Sequence, residues 1–461
     1  MRQWLMDVSL LQGWLPATLF AITVALIVIL LVGAIASIRE SGLRPALVPL
    51  AVAVVCGIAG FVLTWLISDV FVVFGVRLGP RVFKWASAGC AGVGFSIAHI
   101  VMRRRASRVL AAILVMFSLL SSAIGINQAY GEYARLGSLF GEDSYVEADL
   151  TDMAESDDGL LTIAQWRQAV ADQTIKDIPS QGVVNKVDVP ATKSGFVARE
   201  TLVYLPPAAL VSEKKPALPV ILMMSGQPGS PSHVFEAGDI QNMMDDYAQH
   251  HQGLAPIVIA ADQLGDAMHN TLCVDSQEYG NVQTYLTQDV VDWVKDNLPA
   301  AQDAANWAIA GFSQGGTCSM QIGPNYPELF GTIIPTGSEI GPTNGSEEEM
   351  IDRFFNGDRD AYERQIPINA IRNHAPSTQT LIMGSGEKDT DSVNNIEEMA
   401  PVAVEAGMHV TAVESLGNAH DWHAVQDTLR YGLAVFGYNT GMGDEEPKLS
   451  DYPNLREIEI S

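Results

Sequence analysis

One short run of residues has the types and spacing for covalent chemistry: Gly311-Phe312-Ser313-Gln314-Gly315, a G-x-S-x-G. It follows an apolar run, Trp307–Ala310, and opens a helical pattern. A serine at such a strand-to-helix turn is held exposed above a sheet, and its flanking glycines remove side chains that would collide there. A serine hydroxyl needs a base, and the base needs an orienting acid. In this chain order the acid follows the serine and the histidine comes last. The stretch Leu381 to Asp389 reads as a strand running into a loop, which places Asp389 as the acid, with Asp391 and Glu387 as alternatives. The run His409–Val413 leads into Gly417-Asn418-Ala419-His420-Asp421-Trp422-His423. His420 lies in the loop after that strand and is the expected base, while His423 falls on the next helix.

An acyl-transfer site also needs backbone donors for the developing oxyanion. The amide of Gln314 is one. The second is expected from Ser225-Gly226-Gln227-Pro228-Gly229, where Pro228 has no N–H and Gln227 is the better donor. A plain Gly/Pro turn is the alternative for that loop. His250 and His251 are adjacent on a helical stretch, so their side chains diverge and a metal site is not expected. No cofactor is called for by these residues.

These residues need a scaffold, and the strand and helix signals supply one. Val183–Val189 and Val197–Leu205 read as an opening antiparallel pair. Leu218–Met224, Pro256–Ala261, Trp307–Ala310, Thr332–Pro335, Thr380–Met383 and His409–Val413 read as further strands. Helical patterns separate them at Ile240–His250, Tyr285–Asn297, Gly315–Ile322, Glu347–Phe355, Val393–Ala406 and His423–Phe436. Such alternation over residues 181–440 predicts an α/β domain with a mostly parallel sheet and helices on both faces.

The first 127 residues are different. They hold ten Lys/Arg and three Asp/Glu, net +7, whereas residues 128–461 hold seventeen and fifty, net −33. Four apolar runs, at Leu15–Ser37, Pro45–Ser68, Val82–Met102 and Val109–Ile126, each approach the ~20 residues that cross a bilayer. The spans contain almost no ionisable residue besides His99, which favours an anchor over a transporter. The basic loops holding Arg39 and Arg44, and Arg103 to Arg108, place both termini outside the cytoplasm. Arg77, Arg81 and Lys84 compete with that assignment. Ala34-Ile35-Ala36 would fit signal cleavage, but the first run is longer than a signal's usual 7–15 apolar residues. Residues 128–180 read as a juxtamembrane linker, with Glu142–Asp158 acidic, and residues 441–461 as a mobile acidic tail. The acidic large domain argues against a nucleic-acid binder, and 48% apolar residues exclude a disordered chain. The excess of acidic groups reads most simply as solubility.

Cys56 and Cys90 fall in spans and read as small apolar residues. Cys273 and Cys318 border the serine and are expected to form a disulfide in an oxidising compartment.

Together these motifs resemble the esterase family of α/β-hydrolases, which includes esterase D-type enzymes and secreted mycolyltransferases of mycolate-bearing actinobacteria. The carriers are Gly311 to Gly316, then Gly417 to Trp422 around His420, and the stretch Asn270 to Ser276 with Gly280, Tyr285, Leu286 and Trp293. The resemblance spans about residues 183–440. The four-span anchor sets this chain apart from the secreted members. The resemblance implies an α/β-hydrolase fold and an extracytoplasmic serine esterase or acyltransferase, with the membrane bilayer and an ester or acyl-lipid as partners. The expected location is the cell membrane, multi-pass. A non-catalytic ectodomain that binds cell-wall glycan or a partner protein is the alternative, and a sensor or transporter a third. Oligomeric state is open.

Overall fold

The computed structural model describes residues 2–73, 76–102, 105–140, 145–151, 153, 159–212 and 214–460. The chain divides into two compact units, Met1–Asp143 with Ala419–Asp421, and Ser144–Asn418 with Trp422–Ser461.

In the first unit the four apolar runs form helices α1 (Trp14–Ala36), α2 (Arg44–Trp65), α3 (Pro80–Met102) and α4 (Arg105–Tyr130). Helix α2 continues as a π turn, Leu66–Val70. Among the described residues these four are long and apolar enough to cross a membrane. Their outward side chains, such as Val28, Val54, Phe61 and Leu119, are apolar and exposed. Such an outward apolar surface is compatible with membrane anchoring. Small residues let the helices approach. A Cβ on Gly60 would lie 2.8 Å from Cys90, and one on Gly94 would lie 2.5 Å from Cys56. Both cysteines are free and pack as small side chains, as their composition implied. His99 is buried, with Nδ1 3.1 Å from the Phe95 carbonyl. Arg103 and Arg104, which carry part of the orientation argument, lie outside the described residues.

The second unit is built on a ten-stranded sheet. Its strands are β1 (Val146–Glu147), β2 (Val183–Val187), β3 (Thr201–Leu205), β4 (Val220–Met224), β5 (Ile257–Ala261), β6 (Trp307–Phe312), β7 (Thr332–Thr336), β8 (Thr380–Gly386), β9 (His409–Ser415) and β10 (Leu455–Glu457), in the order β1-β2-β3-β5-β4-β6-β7-β8-β9-β10. From β5 to β9 every neighbour is parallel, and β2–β3, β3–β5 and β9–β10 are antiparallel.

Helices cover both faces because the central strands are apolar on both. Val220, Leu222 and Met224 face one core, and Ile221 and Met223 face the other. The first core receives α5 (Ile163–Ala171), α8 (Val290–Asn297), α9 (Gln314–Asn325), α12 (Pro367–Asn373) and α13 (Thr390–Glu405). The second receives α6 (Pro231–Glu236), α7 (Ile240–His250) and α14 (Trp422–Asn439). Helices α10 (Glu347–Phe355) and α11 (Arg359–Gln365) join Leu272 and Val274 in a small separate core.

The folded unit extends further at both ends than composition implies. Much of Glu142–Asp158 lies outside the described residues, but β1 pairs with β2. Helix α5 is closed by a Thr162/Gln165 capping box and buries Trp166 completely in the main core. One large aromatic outweighs the polar character of its neighbours. The acidic tail likewise is ordered: Met442 is buried, and β10 pairs antiparallel with β9. Charged, exposed Arg456 and Glu457 follow a single buried Leu455 in this strand, so it is hidden from a composition reading.

Candidate active site

Strand β6 is apolar and fully buried, and it passes to α9 through one residue, Ser313. Ser313 is half-buried, with φ 56° and ψ −118°. A non-glycine residue held there costs about 1–3 kcal/mol and persists only where its surroundings over-determine it. Those surroundings are visible. The Ser313 N–H donates to the Thr336 carbonyl at 2.9 Å. A Cβ on Gly311 would meet the Gly315 oxygen at 2.2 Å, and one on Gly315 would meet the Ser225 oxygen at 2.5 Å. Gln314 is the first residue of α9, so its N–H has no acceptor within the helix.

The loop after β4 reaches the serine. A Cβ on Gly226 would lie 3.2 Å from that of Ser313. Gln227 precedes a cis bond to Pro228, and its Nε2 donates to the Met268 carbonyl at 2.9 Å. Two side chains that the sequence reading passed over hold this loop. Arg199 grips the fully buried Asp262 through Nε at 2.9 Å and an Nη at 2.6 Å, and donates to the Gly229 carbonyl at 3.0 Å. Gln263 Nε2 donates to the Ser225 carbonyl at 2.7 Å and to Gln314 Oε1 at 3.0 Å. The available signal was a charged and an amide residue directly after a buried strand, where an unpaired carboxylate would be costly.

Cys273 and Cys318 form a disulfide, Cα–Cα 5.7 Å, that fastens the 270–276 segment to α9. Gln314 Nε2 lies 3.6 Å from Cys273 Sγ.

Asp389 is 3% exposed and caps α13, accepting from the Ser392 N–H at 3.4 Å. Its two alternatives differ. Asp391 is exposed in the first turn of α13. Glu387 accepts the Gly417 N–H at 2.9 Å and pairs with Lys388 and Arg456. The Gly417 N–H, then Lys388 and Arg456, hold the Glu387 carboxyl below the usual carboxylate range.

His420 is half-buried at the tip of a tight turn. The Ala419 N–H donates to Asp421 Oδ2 at 2.8 Å, and the Asp421 N–H donates to the Ala419 carbonyl at 3.0 Å. The loops leading to Asp389 and to His420 are laced together. The Glu387 N–H donates to the Ser415 carbonyl at 2.9 Å, and the Lys388 N–H to the Asn418 carbonyl at 2.8 Å. A buried network that composition does not reveal anchors the second loop: Ser415 Oγ donates to Asp427 at 2.5 Å and Asn418 Nδ2 to Ser415 Oγ at 2.8 Å. His423 lies in the first turn of α14.

The remaining singled-out residues sit elsewhere. His250 and His251 each place Nδ1 against a backbone oxygen one turn back, at 2.8 and 2.7 Å. Tyr285 is buried and lies 3.2 Å from the Thr201 hydroxyl, and burial pushes its phenol up to about 12. Asp289 accepts from the Lys193 and Ser194 N–H groups at 2.9 Å each. Burial alone would raise its carboxyl, but these donors and the Ser194 and Thr192 side chains hold it below the ordinary value.

Residues 198–432 match the family model described as "Putative esterase". An uncharacterized protein of Corynebacterium glutamicum is 30% identical over 364 residues, covering 75% of this chain and 82% of its own. Among solved structures, an S-formylglutathione hydrolase of Agrobacterium tumefaciens is similar at 18% identity and TM-score 0.45, over 58% of this chain and 98% of its own. MPT51 of Mycobacterium tuberculosis is similar at 14% identity and TM-score 0.42, over 55% of this chain and 98% of its own.

Proposed function

Because the chain belongs to the esterase family, we propose that it is a membrane-anchored serine hydrolase or acyltransferase that acts outside the cytoplasm on an ester of an envelope lipid or glycolipid. The observation that carries this reading is Ser313, held at positive φ between a buried strand and a helix N-terminus. A non-glycine residue held in such a strained conformation between strand and helix is what a nucleophile elbow requires.

In this reading Ser313 Oγ attacks the ester carbonyl as its proton passes to His420. Asp389 orients the imidazole and stabilises its positive charge. The tetrahedral oxyanion accepts from the Gln314 and Gln227 N–H groups. Collapse breaks the bond to the alcohol, which leaves with the proton from His420. Water, activated by His420, then releases the acid, or a sugar or lipid hydroxyl takes the acyl group. The burial of Asp389, against the engagement of Glu387 and the exposure of Asp391, favours Asp389 as the acid.

Three features support the anchor and its orientation: the four apolar helices, the basic residues Arg39, Arg44 and Arg108, and a disulfide that belongs to an oxidising compartment. The bilayer itself would supply a lipid substrate at high local concentration.

The test is a fluorophosphonate reaction on the full chain in detergent, read by intact mass. One adduct on the wild type, and none on Ser313→Ala or His420→Ala variants that melt as the wild type does, is the expected result. A folded wild type that takes no adduct would overturn the reading and leave a binding domain.

A further inference from the structure

One buried side chain spans the two chain segments that carry the oxyanion donors of this reading. Gln263 stands two residues after β5 and has no exposure. Its Nε2 reaches the Ser225 carbonyl at 2.7 Å on one side and Gln314 Oε1 at 3.0 Å on the other. A carboxamide nitrogen carries two hydrogens, so both are spent here, one on each segment. A carbonyl cannot donate, so turning the amide over would set oxygen against oxygen. Gln263 Oε1 has no hydrogen-bond partner among the described residues. A buried acceptor left unmet is costly, and Leu or Met would fill a similar volume without that cost. Packing alone does not call for a glutamine here.

The base of this strut is itself fixed. Thr271 Oγ1 donates to the Gln263 carbonyl at 2.7 Å and accepts from the Cys273 N–H at 3.2 Å. Cys273 is bonded to Cys318, which lies one turn after Gln314 on α9. The backbone of Gln263 is therefore tied to α9 by a route independent of its side chain, and the side chain adds the loop after β4. Peptide planarity carries the hold forward. The Ser225–Gly226 bond is trans, so a Ser225 carbonyl drawn toward Gln263 turns the Gly226 N–H to the opposite side of the same rigid unit. Gly226 lies against Ser313, and Gln227 is the next residue. At the other end, Gln263 and the Cys273 Sγ keep the Gln314 carboxamide turned toward buried residues.

We propose that Gln263 is a positioning residue for acyl transfer, a strut that sets the spacing between the Gln227 and Gln314 amides so that both meet one developing oxyanion. This inference rests on the serine hydrolase reading above and names a residue on which its rate depends. Preorganised donors need no rearrangement as charge develops. Loss of the strut is therefore felt in the charged transition state and little in the binding of a neutral ester. Gln263 itself touches no substrate and acts through the groups it holds.

The test uses the full chain in detergent with p-nitrophenyl butyrate, its active sites counted by fluorophosphonate adduct driven to completion. Gln263→Met keeps the length of the side chain and removes both donors. Per counted site, kcat should fall about 10- to 30-fold, less than the loss of a whole oxyanion donor, while KM stays within about twofold. A trifluoromethyl ketone, which the serine converts to a bound oxyanion, should bind more weakly by the factor that kcat/KM loses. A side chain that only supports folding would lower the number of counted sites and leave the constants of the surviving sites as they are. Gln314→Met releases one of the two bonds at a half-buried position. It decides the matter if Gln263→Met does not melt cooperatively, and should lower kcat about threefold or more, as a partial loss of the same preorganisation. An unchanged kcat per site, or an unchanged ketone affinity, in the folded variant would overturn the proposal. A wild type that takes no adduct and cleaves no ester removes the hydrolase reading and the strut with it. A reactive wild type with unimpaired variants removes the strut alone.

Discussion

The ring of Phe312, one residue before Ser313, tilts against the ring of Trp422, two residues after His420, with centroids 5.0 Å apart. Trp422 is 1% exposed and belongs to the second core of the sheet. The aromatic pair couples the elbow to the start of α14. Trp422→Ala should cost about 3–5 kcal/mol, the range for emptying a buried aromatic site. Trp422→Phe should recover most of it. Chemical denaturation of the two variants checks the ranking, and equal losses would count against a packing role.

Strain at Ser313 makes a second expectation. Replacing it with glycine removes the Cβ that makes φ 56° unfavourable. Ser313→Gly should be more stable than Ser313→Ala by about 1 kcal/mol, the lower end for one strained residue. Both would be inactive, so the comparison isolates the backbone. A glycine variant that melts below the alanine variant would contradict a strained elbow.

Arg199 ties the loop after β4 to a carboxylate with no exposure. Arg199→Ala should destabilise by about 3 kcal/mol, since removing one partner strands a buried charge. It should also slow acylation by about 10–100-fold, through the displaced Gly229 carbonyl and its neighbouring amides, somewhat less than deleting an oxyanion donor outright. Asp262→Asn paired with Arg199→Ala should restore stability more than rate. Thermal melts and burst kinetics with a chromogenic ester separate the two effects.

Acid should loosen the two loops that carry Asp389 and His420. The Glu387 carboxyl lies below its ordinary value in the folded chain. The unfolded chain therefore takes up the proton first as pH falls. The stabilisation is complete above the ordinary glutamate value of about 4.3 and is lost as pH drops through the folded value. Glu387→Gln should be less stable than the wild type at neutral pH and converge with it in acid. A stability gap that is constant with pH would show that the carboxylate does not hold Gly417.

Trp166 sets the boundary of the folded unit. A chain begun at residue 181, where the linker reading ends, lacks α5 and its buried ring. It should lose about 3–5 kcal/mol or more, whereas a chain begun at residue 145 keeps both. Soluble yield and melting of the two truncations would show it.

How far the sequence discloses this molecule depends on the range of each signal. The nucleophile turn is local, so Gly311, Ser313 and Gly315 announce themselves within five residues. The central strands are buried on both faces and read as unbroken apolar runs such as Val220–Met224. Helix α5 and strand β10 were missed because each rests on one or two buried residues among polar ones. Arg199, Asp262, Gln263 and Asp427 were missed for another reason. Their partners lie 30 to 63 positions away or across a loop, and a hydrogen bond between distant residues leaves no periodicity. Cys273 and Cys318 were legible because two cysteines allow one pairing in that domain.

The disulfide closes a covalent ring around Ser313, since the serine lies within the 45 positions separating Cys273 from Cys318. A protease that cuts once inside that ring opens the chain without dividing it. The nicked protein would migrate as a single species until a reductant is added, and only then would fragments part. Intactness judged on a non-reducing gel would therefore overstate the survival of the unbroken chain in a protease-rich setting.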